Sequence, residues 1–251
     1  MQKPFVALQL YTVRDFTAQD VVETLRKVRK MGYEYVELAG TYGMEFSEFR
    51  SVLNEFGLKA ISAHVQFSEI EADVKKAVHE YKFMGCAYIV IPMLPEACLP
   101  SGELYKHAKG IIEKFCHVCK EAGVIPAYHN HAFEFERLPG GLFKLDKFFD
   151  DIDICAQLDT GWIRAAGQNP ETYIEKYAGR CPIIHIKDTI KTGEGFEDRP
   201  AGSGSQNIPG IIKTALAAGV AGFVAELDNA VGMTSLEAAE ESRRFLKSLG
   251  F

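Results

Sequence analysis

The sequence predicts an α/β protein, a single (β/α)8 TIM barrel spanning residues 1–251. Three observations carry that expectation. Short apolar runs alternate with amphipathic helical patterns from end to end. Glycines recur between a helical pattern and the next apolar run. Four of the later runs end in polar side chains fit for chemistry, as strands of such a barrel do at its C-terminal face. The length of 251 residues matches one barrel and gives no reason to divide the chain.

The expected strands, in order, are residues 5–10, 35–38, 59–64, 88–92, 124–129, 152–158, 183–187 and 222–227. They are apolar nearly throughout, which fits strands buried on both faces in a parallel sheet. Between them lie helical patterns; in the first, Val21, Leu25 and Val28 fall on one face. Gly32, Gly57, Gly85, Gly123 and Gly219 follow such patterns as helix C-caps. Residues 189–207, rich in Gly, Ser and charge, read as an extended irregular segment and a candidate substrate-covering loop.

Composition excludes several functions. With 47% hydrophobic and 25% charged residues the chain has an ordinary globular balance and can bury a large core. A net charge of −6 leaves no basic surface for nucleic acid or an anionic membrane, so neither is an expected partner. No apolar run approaches the roughly 18 residues of a membrane span. The first residues show no secretory pattern, and a cytoplasmic location is expected. The six cysteines are scattered, as reduced thiols in a cytosolic protein are. Cys116-His117-Val118-Cys119 has zinc-like spacing but lies inside the helical pattern 103–122, without a second ligand pair, and reads as packed helix cysteines. A homodimer is the base-rate expectation for oligomeric state.

The chemistry-bearing run ends are His129-Asn130-His131, Asp159, His185-Ile186-Lys187 and Glu226-Leu227-Asp228. His, Asp, His and Glu converging at one face make a site for a divalent cation. Alternation sends His129 and His131 to one side of their strand and His185 and Lys187 to one side of theirs. Asp159 also reads as a helix N-cap, heading Asp159-Thr160-Gly161-Trp162. Lys187, among isoleucines, needs a partner or a wet cavity. It is a candidate for polarising a substrate oxygen, or for acid/base work with a lowered pKa. Glu226 needs a metal or a salt bridge, and Lys187 is the natural partner for the second. Weaker candidates are Tyr11, Arg14, Glu37, Pro92, Met93 and, best of these for substrate contact, His64. Trp162 is a candidate wall for a sugar ring. The backbone amides of Gly202-Ser203-Gly204-Ser205-Gln206-Asn207, with Arg199 nearby, form a weak candidate anion site.

With these residues assembled, the chain resembles the sugar isomerase/epimerase superfamily with a xylose isomerase-like TIM barrel. The resemblance rests on Leu158-Asp159-Thr160, His185-Ile186-Lys187-Asp188, Ala225-Glu226-Leu227-Asp228, and His129-Asn130-His131 with Glu134-Phe135. It implies a metal-dependent isomerase or epimerase of a small sugar or sugar derivative, acting by proton abstraction beside a carbonyl through a metal-stabilised enediolate. It implies Asp159, His185 and Glu226 as metal ligands, with Glu226 also the base. The family's remaining glutamate ligand falls on His129, so the fourth ligand is His129, His131 or Glu134. His129 and Lys187 are then the other catalytic candidates, and His64, His131, Glu134, Arg199 and Trp162 the substrate-binding ones. The expected cation is Mn, Zn, Co or Mg, with Mn first, and the expected partner a small carbohydrate. The histidine in the fifth strand also resembles the inosose dehydratase branch, which leaves a dehydratase as one alternative. A non-catalytic sugar-binding barrel is another. A metal-dependent repair endonuclease, which shares this barrel, is disfavoured by the net negative charge.

Overall fold

The computed structural model describes residues 3–193 and 195–251. In chain order the first half contains β1 (Phe5–Gln9), α1 (Arg14–Thr17), α2 (Val21–Lys30), β2 (Tyr35–Leu38), α3 (Phe46–Glu55), β3 (Lys59–His64), α4 (Phe67–Ala72), α5 (Val74–Met84), β4 (Tyr88–Ile91) and α6 (Tyr105–Ala122). The second half contains β5 (Ile125–His129), α7 (Lys144–Asp151), β6 (Cys155–Asp159), α8 (Thr160–Ala165), α9 (Pro170–Lys176), β7 (Ile183–Ile186), β8 (Asp188–Thr192), β9 (Gly195–Arg199), α10 (Ile208–Ala217), β10 (Gly222–Ala225) and α11 (Ser235–Ser248). Eight parallel strands close in the order β1-β10-β7-β6-β5-β4-β3-β2, so the expected barrel is present. No helix among the described residues is long and apolar enough to cross a membrane.

Local chemistry sets the boundaries. Asp20 caps α2 by accepting from Glu23 N, and Asp73 caps α5 by accepting from Lys75 N and Lys76 N. Gly85 and Gly123 end α5 and α6 at φ +99° and +71°, the left-handed backbone that glycine adopts without a steric penalty. Two expectations are corrected. The sixth strand starts at Cys155 rather than residue 152, because Ile152 closes α7 through its N–H to Phe148 O. Residues 189–207 are not irregular throughout: β8 and β9 pair as an antiparallel hairpin from Asp188–Arg199 to Thr192–Gly195. Cys116 and Cys119 lie on α6, and burial pushes the Cys116 thiol up to about 12 and Cys119 higher, which fits inert packing.

The larger core lies between strands and helices, with Leu25, Phe49, Phe115, Phe148 and Ile184 buried in it. A smaller apolar layer of Tyr88, Val90, Ala127 and Ile183, with Phe5 against it, fills the lower barrel. A Cβ on Gly222 would come within 2.2 Å of the Phe5 ring, so the ring takes the space that strand leaves open. Above this layer the inward positions turn polar: Gln9, Glu37, His129, Gln157, Asp159 and His185 are all buried. The apolar layer thus makes a dry floor under a polar layer at the C-terminal mouth.

Candidate functional site

Strand register brings the polar ends together. Asp159 lies opposite His185, Gln157 opposite His129, and Gln9 opposite Glu37. One donor atom each from His129, Asp159, His185 and Glu226 fall within 4.8 Å of one another. His185 Nδ1 is 2.9 Å from Glu226 Oε2 and 3.8 Å from Asp159 Oδ2, and His129 Nε2 is 3.9 Å from Asp159 Oδ2.

The donor set fits a divalent cation. Each histidine has its outer nitrogen occupied and its inner nitrogen aimed at the cluster. His185 Nε2 contacts Glu37 Oε1 at 2.7 Å, and His129 Nδ1 contacts Gln157 Oε1 at 3.1 Å. Such outer partners fix the ring and its tautomer in metal sites. Asp159 Oδ2 is buried and accepts no hydrogen bond; Lys187 Nζ, 3.2 Å away, sits at ion-pair distance without hydrogen-bond alignment. A buried carboxylate oxygen so placed suits a cation. Burial, reinforced by His185 and His64, holds His129 well below the usual imidazole range and leaves it a neutral lone pair. Burial lowers His185 too, but Glu37 and Glu226 outweigh it and raise His185 to about 10, so a cation bound there would displace its proton.

Glu37 organises the floor. Its Oε1 accepts from Gln9 Nε2 at 2.8 Å and Oε2 from Gln157 Nε2 at 2.6 Å; His64 Nε2 lies 3.1 Å from Oε1. Burial pushes its carboxyl up, but His64 and His185 outweigh that and hold it at about 2. The sequence offers Glu37 only as a weak candidate, and Gln9 and Gln157 are not among the candidates read from it. Their signal was inward parity: Gln157 shares the side of Asp159 in an otherwise apolar strand.

Lys187 Nζ lies 2.5 Å from Asp228 Oδ2, 3.1 Å from Glu226 Oε2 and 4.9 Å from the Trp162 ring centroid. A Cβ on Gly161 would come within 2.7 Å of the lysine stem, so this glycine is what lets the side chain lie across α8. The expected lowered pKa is not found. Burial pulls it down, but Asp159, Glu226 and Asp228 outweigh burial and raise it well above its ordinary value. Lys187 is a fixed ammonium and donates. Burial raises Glu226, yet Lys187 and His185 outweigh this and hold it well below the carboxylate range, so it is an anion whose basicity these two cations reduce.

A cleft of about 400 Å³ opens on the cluster and is lined by His64, His129, His131, Glu226 and Asp228 on one side. Other candidates fall elsewhere. Glu134 does not reach the cluster: its Oε1 accepts from Tyr128 Oη and its Oε2 from His131 N, both at 2.8 Å, so it braces the turn after β5. Burial pushes its carboxyl up to about 7. Arg199 pairs with Glu197 in the hairpin and lines neither this cleft nor the one beside it. Trp162 lines that adjacent cleft, of about 270 Å³, rather than the main one. The Gly/Ser loop is not a free anion site. Its amides at Gly202, Gly204 and Gln206, with Thr189 N, all donate to the carboxylate of Asp188 at 2.8–3.1 Å. The protein fills that cradle itself.

A family model for the xylose isomerase-like TIM barrel matches residues 25–249. The chain belongs to this family. It is 24% identical over 197 residues to an inosose dehydratase of Geobacillus kaustophilus (strain HTA426), covering 69% of this chain and 63% of that relative. Among solved structures, this xylose isomerase-like barrel is similar to a sugar phosphate isomerase/epimerase from Parabacteroides distasonis ATCC 8503 (TM-score 0.83, 23% identity, 99% of this chain and 95% of the other). It is also similar to a xylose isomerase-like TIM barrel protein from Mycobacterium smegmatis in complex with magnesium (TM-score 0.73, 18% identity, 98% and 96%). At these identities the solved structures bear on the fold alone.

Proposed function

We propose that this chain is a divalent-metal-dependent enzyme that removes a proton beside the carbonyl of a small polyhydroxy compound. The observation that carries this reading is the convergence of His129, Asp159, His185 and Glu226 donor atoms within 4.8 Å at the base of an open cleft. His129, Asp159, His185 and Glu226 would hold the cation, which supplies positive charge to the carbonyl oxygen as the enediolate develops. Magnesium in the M. smegmatis relative makes that ion, beside Mn, Zn and Co, a choice to test.

The chain's own groups divide the remaining work. Glu226, an anion at the edge of the cleft, takes the α-proton. The Lys187 ammonium, 3.1 Å from Glu226 and outside the cleft lining, positions that carboxylate and adds positive charge behind the oxygen on which charge grows. His64, stacked on His185 with ring centroids 5.2 Å apart, orients a hydroxyl. Return of the proton to the neighbouring carbon gives isomerisation, and return to the opposite face gives epimerisation.

A second outcome of the same step has its own support. His129 stands where the epimerase pattern needs a second glutamate, so no second carboxylate faces the substrate from that strand. A carbanion without a proton donor on its far face is suited to expelling a β-hydroxyl instead. The C–O pair leaves on the hydroxyl, which takes the proton Glu226 has just removed and departs as water, returning Glu226 to its anion. The similarity to an inosose dehydratase favours this outcome. One experiment tests both: metal-loaded protein in deuterated solvent with a keto-sugar and a keto-cyclitol, followed by NMR and ultraviolet absorbance. Exchange of the α-proton is expected, with an absorbing enone if the hydroxyl leaves. A metal-loaded protein that exchanges no α-proton would overturn the proposal.

A further inference from the structure

The cleft reaches beyond the cluster to a distal end lined by Gly40, Gln66, Glu69 and Tyr81. What a substrate meets there is acidic. Glu69, on α4, is half-buried in the wall, and burial, with Glu80 adding to it, raises its carboxyl above the ordinary value. Glu226 and Asp228 line the same cleft. No lysine or arginine lines this cleft among the described residues. The cations nearest to it are committed. Lys187 faces Asp159, Glu226 and Asp228, and Arg14 donates to Tyr11 O and Asp228 O. Lys76 lines a neighbouring cleft that Glu69 also borders, lies 3.9 Å from Glu80, and only partly counters the upward shift of Glu69. The Gly/Ser loop, whose amides have the arrangement of a phosphate cradle, is closed by Asp188.

From these placements we infer that the cleft takes uncharged polyhydroxy carbonyl compounds and rejects their phosphate esters, with Glu69 as the residue that enforces the choice. This inference rests on the enzymatic reading above and names the substrate class for the same site. A carboxylate at the distal wall accepts from hydroxyls and repels a phosphate brought to the same place, where no lysine or arginine is among the cleft's described lining residues. Like charges brought together in a partly desolvated cleft disfavour binding strongly. Gln66, on the same rim, supplies both a donor and an acceptor for neutral hydroxyls.

The test compares α-proton exchange by the metal-loaded protein for D-fructose, D-tagatose and a keto-cyclitol, each beside its phosphate monoester. The readout is the ratio of kcat/KM for free compound over ester. We expect the free compound to be preferred by more than about tenfold in the wild type, and Glu69→Gln to bring the ratio down by about tenfold. Glu69→Ala repeats the measurement should the glutamine variant fail to hold metal. An ester exchanged as fast as its free parent, or faster, overturns the inference and leaves the enzymatic reading standing. A ratio unchanged in both variants overturns the role of Glu69. No exchange from any compound, with metal bound, overturns the enzymatic reading and this inference together.

Discussion

Lys187 and Asp188 are neighbours in the chain, both are buried charges, and they are neutralised in opposite ways. Asp188 turns away from the barrel axis and takes four backbone N–H groups from its own loop, with no cation among them. Lys187 turns inward and faces carboxylates that are themselves incompletely satisfied, one of them ending in the unpartnered Oδ2 of Asp159. A charge closed by fixed backbone dipoles is complete and has nothing left to offer a ligand. A charge held by other side chains at the rim of a cleft has neighbours that can exchange partners. The comparison separates structural from chemical acidity in this molecule without reference to residue type.

Four measurements distinguish the closed charge at Asp188 from the open ones around Lys187. Asp188→Ala removes the acceptor of four backbone amides, most of them partly buried, and is expected to lower stability by about 2–4 kcal/mol, read by denaturant unfolding. A loss below about 1 kcal/mol would mean the cradle is not structural. Glu226→Gln, on the other side of the divide, is expected to cost about a thousandfold in α-proton exchange. Its unfolding midpoint should fall far less than that of Asp188→Ala. Excess Mn, Mg, Zn or Co, at about a hundred times its Kd, should stabilise the protein by about 2.7 kcal/mol and raise Tm by several degrees. No rise with any of these ions would remove the metal from the site. Glu37→Gln keeps the shape of the floor and weakens the orienting contact to His185; metal affinity is expected to fall about 10- to 100-fold in a metal titration. An unchanged affinity would make Glu37 a packing residue.

The barrel and the meeting of His129, Asp159, His185 and Glu226 were legible because each lies at the end of an apolar run, and closure of the barrel brings run ends to one mouth. Glu37 was harder to read, since a single acid inside a short strand gives no hint of its four partners from other strands. Glu134 misled because proximity in sequence to His129 suggested reach, whereas the turn after β5 directs the carboxylate onto its own backbone. Arg199 and the Gly/Ser loop suggested an anion site. The anion was Asp188, and its capture depends on amide directions that side-chain identity does not encode. The hairpin was hidden for a related reason. Part of what holds it is Asp198, whose Oδ2 accepts from Asp228 N at 3.0 Å and Asn229 N at 3.2 Å, a tie between segments 30 residues apart.

The separation of Glu37 from Glu69 has a consequence for how such a protein changes. Glu37 is knitted to Gln9, Gln157, His64 and His185, so altering it disturbs several walls of the cylinder at once. Glu69 stands on the short α4, outside the closed sheet, with no part in that knot. On the proposed reading, what enters the cleft and what is done to it therefore rest on separate supports: a changed α4 would alter admission and leave the knot around Glu37 intact.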